Sequence, residues 1–231
     1  MDYSDYMLIN YALPFLGFII TLVAQIYVNN SYNKYKYQGL KNKATGAEIA
    51  RTILDKNGLK DVKVKEVKGN LTDYYDPKKR VVSLSTDIYQ GDTIASASVA
   101  AHECGHAIQH KEGYIFLKVR SALVPFVNFS TKIGYLVVII GLIFSFPKVA
   151  LIGLMLLLAM LLFQLVTLPV EFNASSRAKK QLIKLNVIDD YELDDSSTML
   201  RAAALTYVAS LITTLLQILR LALIVLGRRD D

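Results

Sequence analysis

The sequence predicts a mostly helical, multi-pass α+β membrane protein with one small β-sheet, and three observations carry that expectation. Hydrophobic residues fill 53% of the 231 positions, above the roughly 45–50% of an ordinary soluble domain, and the mean hydropathy is +0.33. The excess gathers into runs long enough to cross a hydrocarbon core of about 30 Å at about 1.5 Å per residue. Between the first and second runs the pattern changes to amphipathic helix, short strands, and a helix carrying His102-Glu103-Cys104-Gly105-His106.

The first run, Met7 to Val28, follows the acidic, lysine-free start Met1-Asp2-Tyr3-Ser4-Asp5-Tyr6 and ends at Asn29-Asn30-Ser31 without a small-residue cleavage pattern. It therefore reads as an uncleaved anchor and not as a signal peptide. A second apolar block from about Leu123 to Pro169 is interrupted by Ser145-Phe146-Pro147-Lys148, which predicts a hairpin of about Leu123 to Phe146 and about Val149 to Thr167. Lys132, near the start of the first arm, can snorkel to the interface. The last run, Ala202 to Gly227, is apolar except for Gln217 and Arg220. It either crosses the bilayer or packs its first half on the soluble part and inserts the rest.

Within the soluble part, Thr45-Gly46-Ala47-Glu48 matches a capping box, Ile49, Ile53 and Leu54 follow at helical spacing, and Asn57-Gly58 supplies the stop. Val62, Val64 and Val67 alternate partly with Lys63, Lys65 and Glu66 as in a half-exposed strand. Asp76-Pro77-Lys78-Lys79 is a turn signal, and Val81 to Ser85 is a β-prone run after it. A further helix is expected from about Thr93 to His110, its small approach Ala95 to Ala101 suiting close burial. Tyr114 to Val124 mixes apolar and basic residues as an interfacial segment does. The domain expectation is a transmembrane anchor at 1–30, a soluble region at 31–122, a transmembrane hairpin at 123–169, a soluble segment at 170–200 and a membrane-associated helix at 201–231.

Most Lys and Arg fall between Asn29 and Lys132 and none precedes Asn29, so the positive-inside bias puts this segment in the cytoplasm. The hairpin returns 170–200 to the same side of the cell membrane. Arg228-Arg229 fits less well, since a fourth full crossing would place it outside. The net charge of +6 follows from basic residues bordering spans, and no nucleic-acid module with interleaved aromatics is present. The lone Cys104 excludes an intramolecular disulfide and reads as a small buried packing residue.

Chance yields one HExxH on the order of once per thousand such sequences. On a helix, His102 and His106 share one face and can converge on a Zn²⁺, while Glu103 on the flank can take a proton from a metal-bound water. Catalytic zinc usually has three protein ligands and an open position. His110 lies about 12 Å of helical rise from His102, too far for an ion held at about 2.0–2.1 Å, and reads as a polar helix-end residue. Glu171, in Pro169-Val170-Glu171-Phe172-Asn173-Ala174-Ser175, is the better third ligand. It lies just past an apolar span that Pro169 is expected to end, on the same side of the membrane as the motif.

Helix, small sheet and HExxH helix is the order of zincin-type peptidases, where an edge strand ahead of the metal helix holds an extended peptide; Val81 to Ser85 is the candidate here. The chain resembles the YugP-like family of membrane-bound neutral zinc metallopeptidases, and more remotely the HtpX-type membrane gluzincins. The resemblance runs over residues 45–51, 71–77, 98–109, 165–175 and 202–209. It implies Zn²⁺ as cofactor, His102, His106 and Glu171 as ligands, and Glu103 as catalytic base. Two positions depart from the pattern. Tyr74 stands where the family has His. Ser175 stands where the gluzincins have an Asp that could orient a ligand His, leaving Asp73, Asp76 or Asp87 as possible substitutes.

The expected activity is a membrane-anchored zinc endopeptidase in which Glu103 takes the water's proton and passes it to the leaving amine, with Tyr207 or Tyr74 as a second oxyanion donor. Its substrate would be a peptide or membrane protein, in peptide processing or quality control, and its other partner the lipid bilayer. The competing readings are a zinc-stabilised scaffold without turnover, and a transporter-like protein with a fortuitous HExxH. A structural site needs no base, and a transporter leaves the soluble helix-strand-helix order unexplained.

Overall fold

The computed structural model describes residue 4 and residues 7–227; the rest of the acidic start and Arg228-Arg229 lie outside the described residues. The architecture is α+β and mostly helical: helices α1 (Leu8–Tyr35), α2 (Gly46–Lys56), α3 (Thr86–Gln90), α4 (Ile94–Glu112), α5 (Ile115–Ile143), α6 (Pro147–Lys184) and α7 (Asp190–Gly227), with strands β1 (Lys63–Val67), β2 (Tyr74–Asp76) and β3 (Val81–Ser85). Four helices, α1, α5, α6 and α7, are long and apolar enough to cross a membrane. The chain divides into a bundle unit (Met1–Gln25, Val119–Leu168, Thr206–Asp231) and a second unit (Ile26–Lys118, Pro169–Leu205) that holds the sheet and the HExxH helix.

In the bundle unit, α6 begins on Pro147, whose missing N–H costs nothing at a first helical position. The two hairpin arms approach through small residues. A Cβ on Gly141 would lie 2.3 Å from the Ala150 nitrogen, and one on Gly153 2.5 Å from the Val138 nitrogen, the close packing that holds helices together in lipid. Side-chain hydrogen bonds add to it: Gln164 donates to Thr214 at 2.9 Å and the Thr21 and Thr213 hydroxyls lie 3.1 Å apart.

The second unit begins with the predicted capping box: Thr45 Oγ1 accepts from the Glu48 N–H and Thr45 N–H donates to the Glu48 carboxylate. The α2 face Ile49, Ala50, Ile53 and Leu54 is buried in one apolar core with Leu84 of β3, Ala97 and Ala101 of α4, and Leu182 of α6. Arg51 donates to the carbonyls of Leu59 and Val62, tying α2 to the entry of β1. Helix α4 starts on a Thr93 cap that accepts from the Ser96 N–H and stops at Gly113, whose φ of 68° suits glycine. Its small approach is buried as expected.

Two expectations are corrected. The strand Val81–Ser85 is not an edge: the sheet order is β1-β3-β2, with β3 parallel to β1 and antiparallel to β2. Its main-chain groups are spent on both neighbours and all five residues are buried, so no substrate can add to it. The edges are β1 and β2, the latter three residues long. Pro169 does not end its helix either; α6 runs unbroken through it. A proline interrupts one main-chain bond but does not forbid a helix whose flanks are held by packing, and Val170, Glu171 and Ala174 are all buried. The last helix also starts earlier than its apolar run, at Asp190, behind an Asp189–Glu192 capping pair. Residues 190–205 belong to the second unit and the remainder to the bundle.

Candidate metal centre

Helical spacing brings His102 and His106 together on α4, their rings meeting edge to face with centroids 4.8 Å apart. Opposite them α6 contributes Glu171. Its Oε2 lies 3.3 Å from His102 Nε2 and 3.6 Å from His106 Nε2. Three ligands at about 2.0–2.2 Å from a tetrahedral zinc would stand about 3.3–3.6 Å apart, so two imidazoles and a carboxylate are spaced for one such ion. All three ligand atoms lie within 4.8 Å of one another.

The approach of the helices depends on Gly105. A Cβ there would lie 2.6 Å from the Ala174 carbonyl oxygen and 3.2 Å from the carbonyl carbon, and main chain cannot step aside as a side chain does. Gly105→Ala is therefore expected to push α6 from α4, lowering stability by about 1–3 kcal/mol and loosening Glu171 from the histidines. Thermal unfolding together with zinc retention checks this, and an unchanged pair of values would refute it.

The outer ring nitrogens are also held. Gln109 donates through Nε2 to the Val170 carbonyl at 2.8 Å and to Asn173 Oδ1 at 2.9 Å. A carbonyl can only accept, so the amide nitrogen faces Val170 and Oε1 faces His106 Nδ1 at 3.0 Å. His106 must then carry its proton on Nδ1 in the neutral tautomer, leaving the Nε2 lone pair towards Glu171. The chain continues outward: Asn173 Oδ1 accepts from Arg177, which pairs with Glu112 at 2.6 Å. At the other histidine, the Ser175 hydroxyl lies 3.2 Å from His102 Nδ1. A hydroxyl thus occupies the place the gluzincin carboxylate would take. Asp73 and Asp76 are engaged elsewhere, Asp73 with the Ser85 N–H and hydroxyl and Asp76 with the N–H groups of Lys78 and Lys79; Asp87 stands on the short α3.

Glu103 is buried beside the pair. Burial pushes its carboxyl above the ordinary carboxylate range, against the opposing pull of the two imidazoles, which makes it a stronger base than a surface glutamate. Burial alone would lower His106, but the Glu171 and Glu103 carboxylates outweigh it and hold it above its usual value. Ligation must displace that proton.

The remaining candidates separate cleanly. His110 is not in the cluster; its Nδ1 lies 2.8 Å from the Tyr75 hydroxyl, joining the end of α4 to β2. Cys104 is fully buried, its thiol directed to the Ala50 carbonyl and pushed up by burial. Tyr74 lies on β2, 48% exposed. Tyr207 is on α7 in the bundle unit, 36% exposed. Sequence reasoning did not single out Gln109, although its place three residues after His106 on the same helix was a usable signal.

The chain is 45% identical over 208 residues to "Putative membrane protease YugP" of Bacillus subtilis, an alignment covering 90% of this chain and 92% of that protein. No solved structure matches it. From residue 10 to residue 226 it matches the family described as "Putative neutral zinc metallopeptidase". With its paired histidines and facing glutamate inside that span, the chain belongs to this neutral zinc metallopeptidase family.

Proposed function

We propose that the protein is a membrane-anchored zinc endopeptidase working at the cytoplasmic face of the cell membrane. The observation that carries this reading is the convergence of His102, His106 and Glu171 with Glu103 buried at their side. A bound Zn²⁺ would polarise the scissile carbonyl and acidify a water. Glu103 accepts the water's proton and delivers it to the departing amine. Gln109 and Ser175 keep the imidazoles turned with Nε2 inward. The extended peptide is held along β2, the sheet edge that Tyr75 and His110 tie to α4, by main-chain hydrogen bonds. Tyr207 or Tyr74 is the second oxyanion donor. Substrates are unfolded segments of membrane proteins or peptides near the bilayer; nucleic acid has no part in this function. A zinc-stabilised scaffold gives no use for a buried base.

The test is metal removal. The full chain in detergent should carry stoichiometric zinc and cleave a denatured membrane-protein substrate. A chelator should reduce cleavage to background, and added Zn²⁺ should restore it. Cleavage indifferent to chelation would overturn the proposal.

A further inference from the structure

We propose that the cleft between α6 and α7 in the second unit binds the phosphate of an anionic phospholipid. The cleft encloses about 390 Å³ and is lined by Lys179, Lys180 and Arg201, a volume within the range of ligand cavities. Among the described residues no carboxylate pairs with any of these cations, whereas the neighbouring Arg177 is spent on Glu112. Three like charges around one hollow repel unless an anion joins them. Ser197 adds a second sign of a ligand. It lines the same cleft, is 4% exposed, and its hydroxyl has no hydrogen-bond partner, a state that native structures rarely leave unexplained.

Height along the helices selects the lipid. Phe172, 49% exposed, lines the cleft one turn beyond Leu168, where the apolar run of α6 ends. Arg201 directly precedes Ala202, where the apolar run of α7 begins, which puts it in the headgroup layer beside a hydrocarbon core. Lys179 and Lys180 lie two turns past Phe172, and side chains on a helix lean towards its N-terminus, here back towards the apolar run. Arg201 and Phe172 thus stand together in the interfacial layer, with the two lysines farther out on α6 and leaning back towards it, the placement by which juxtamembrane basic pockets take anionic headgroups. An acidic peptide would use the cations but leave Phe172 uncovered. Ser175 lines the cleft too and reaches His102, so the lipid would lie one side chain from the metal centre. The proposal rests on the membrane reading and not on peptidase activity.

The experiment is lipid retention by the full chain in detergent micelles, read by native mass spectrometry and thermal unfolding. Phosphatidylglycerol should be retained about tenfold or more over phosphatidylcholine, and should raise the unfolding temperature where inorganic phosphate at equal concentration does not. Lys179→Gln/Lys180→Gln/Arg201→Gln should lose that preference. Ser197→Ala, which changes no charge, should weaken retention about tenfold while unfolding normally in phosphatidylcholine. Full retention in either variant, equal stabilisation by inorganic phosphate, or displacement of the lipid by an acidic peptide would overturn the proposal.

Discussion

Glu103→Gln is expected to keep its zinc and lose peptide hydrolysis by about 10²–10⁴-fold, the contribution of a positioned base, or about 3–5 kcal/mol of barrier. The substitution preserves shape and volume, and the metal ligands are untouched. It also leaves folding intact. Burial raises the Glu103 carboxyl, so in the metal-free chain the ionised form is disfavoured in the fold and stability falls as pH rises through that pKa; a neutral amide has no such cost. Unfolding temperature and zinc content therefore serve as controls on turnover. Activity equal to wild type would sink the enzyme reading, while loss of zinc would show that Glu103 belongs to the ligand set.

Glu171→Ala should weaken zinc binding by more than about a hundredfold, beyond the about 10–100-fold typical of an orienting partner. Glu171 is 2% exposed and is the only carboxylate that reaches both imidazoles among the described residues. His110→Ala is the contrast: it cuts the bond to Tyr75 but leaves the three ligand atoms alone. Isothermal titration with Zn²⁺ separates the two. The reverse order of effects would transfer the third ligand to His110.

Much of this centre was legible because its parts are local. The histidines need only helical spacing, and Glu171 follows from the expectation that an apolar hairpin returns the chain to the side of the motif. The strand error has a visible cause. Val81-Val82-Ser83-Leu84-Ser85 lacks the alternation of Val62 to Val67, and an unalternating buried run marks a strand covered on both faces. Which strand flanks it is long-range information, and β2 is too short to announce itself. The local cost of Pro169 is plain in the sequence, whereas the packing of Val170 and Ala174 that carries the helix through it is not. Ser175 lacks a carboxylate in the sequence, yet its hydroxyl can accept from the same ring N–H.

The hydrogen-bonded chain from Glu112 through Arg177, Asn173 and Gln109 to His106 joins α4 to α6 using protein atoms alone. The centre is therefore preorganised: its helices are clamped before any ion arrives, and metal binding has little ordering left to perform. This separates it from small zinc domains, whose folding is driven by the ion. Protein stripped of metal by a chelator is therefore expected to keep its fold and to take up Zn²⁺ again on simple addition of the ion.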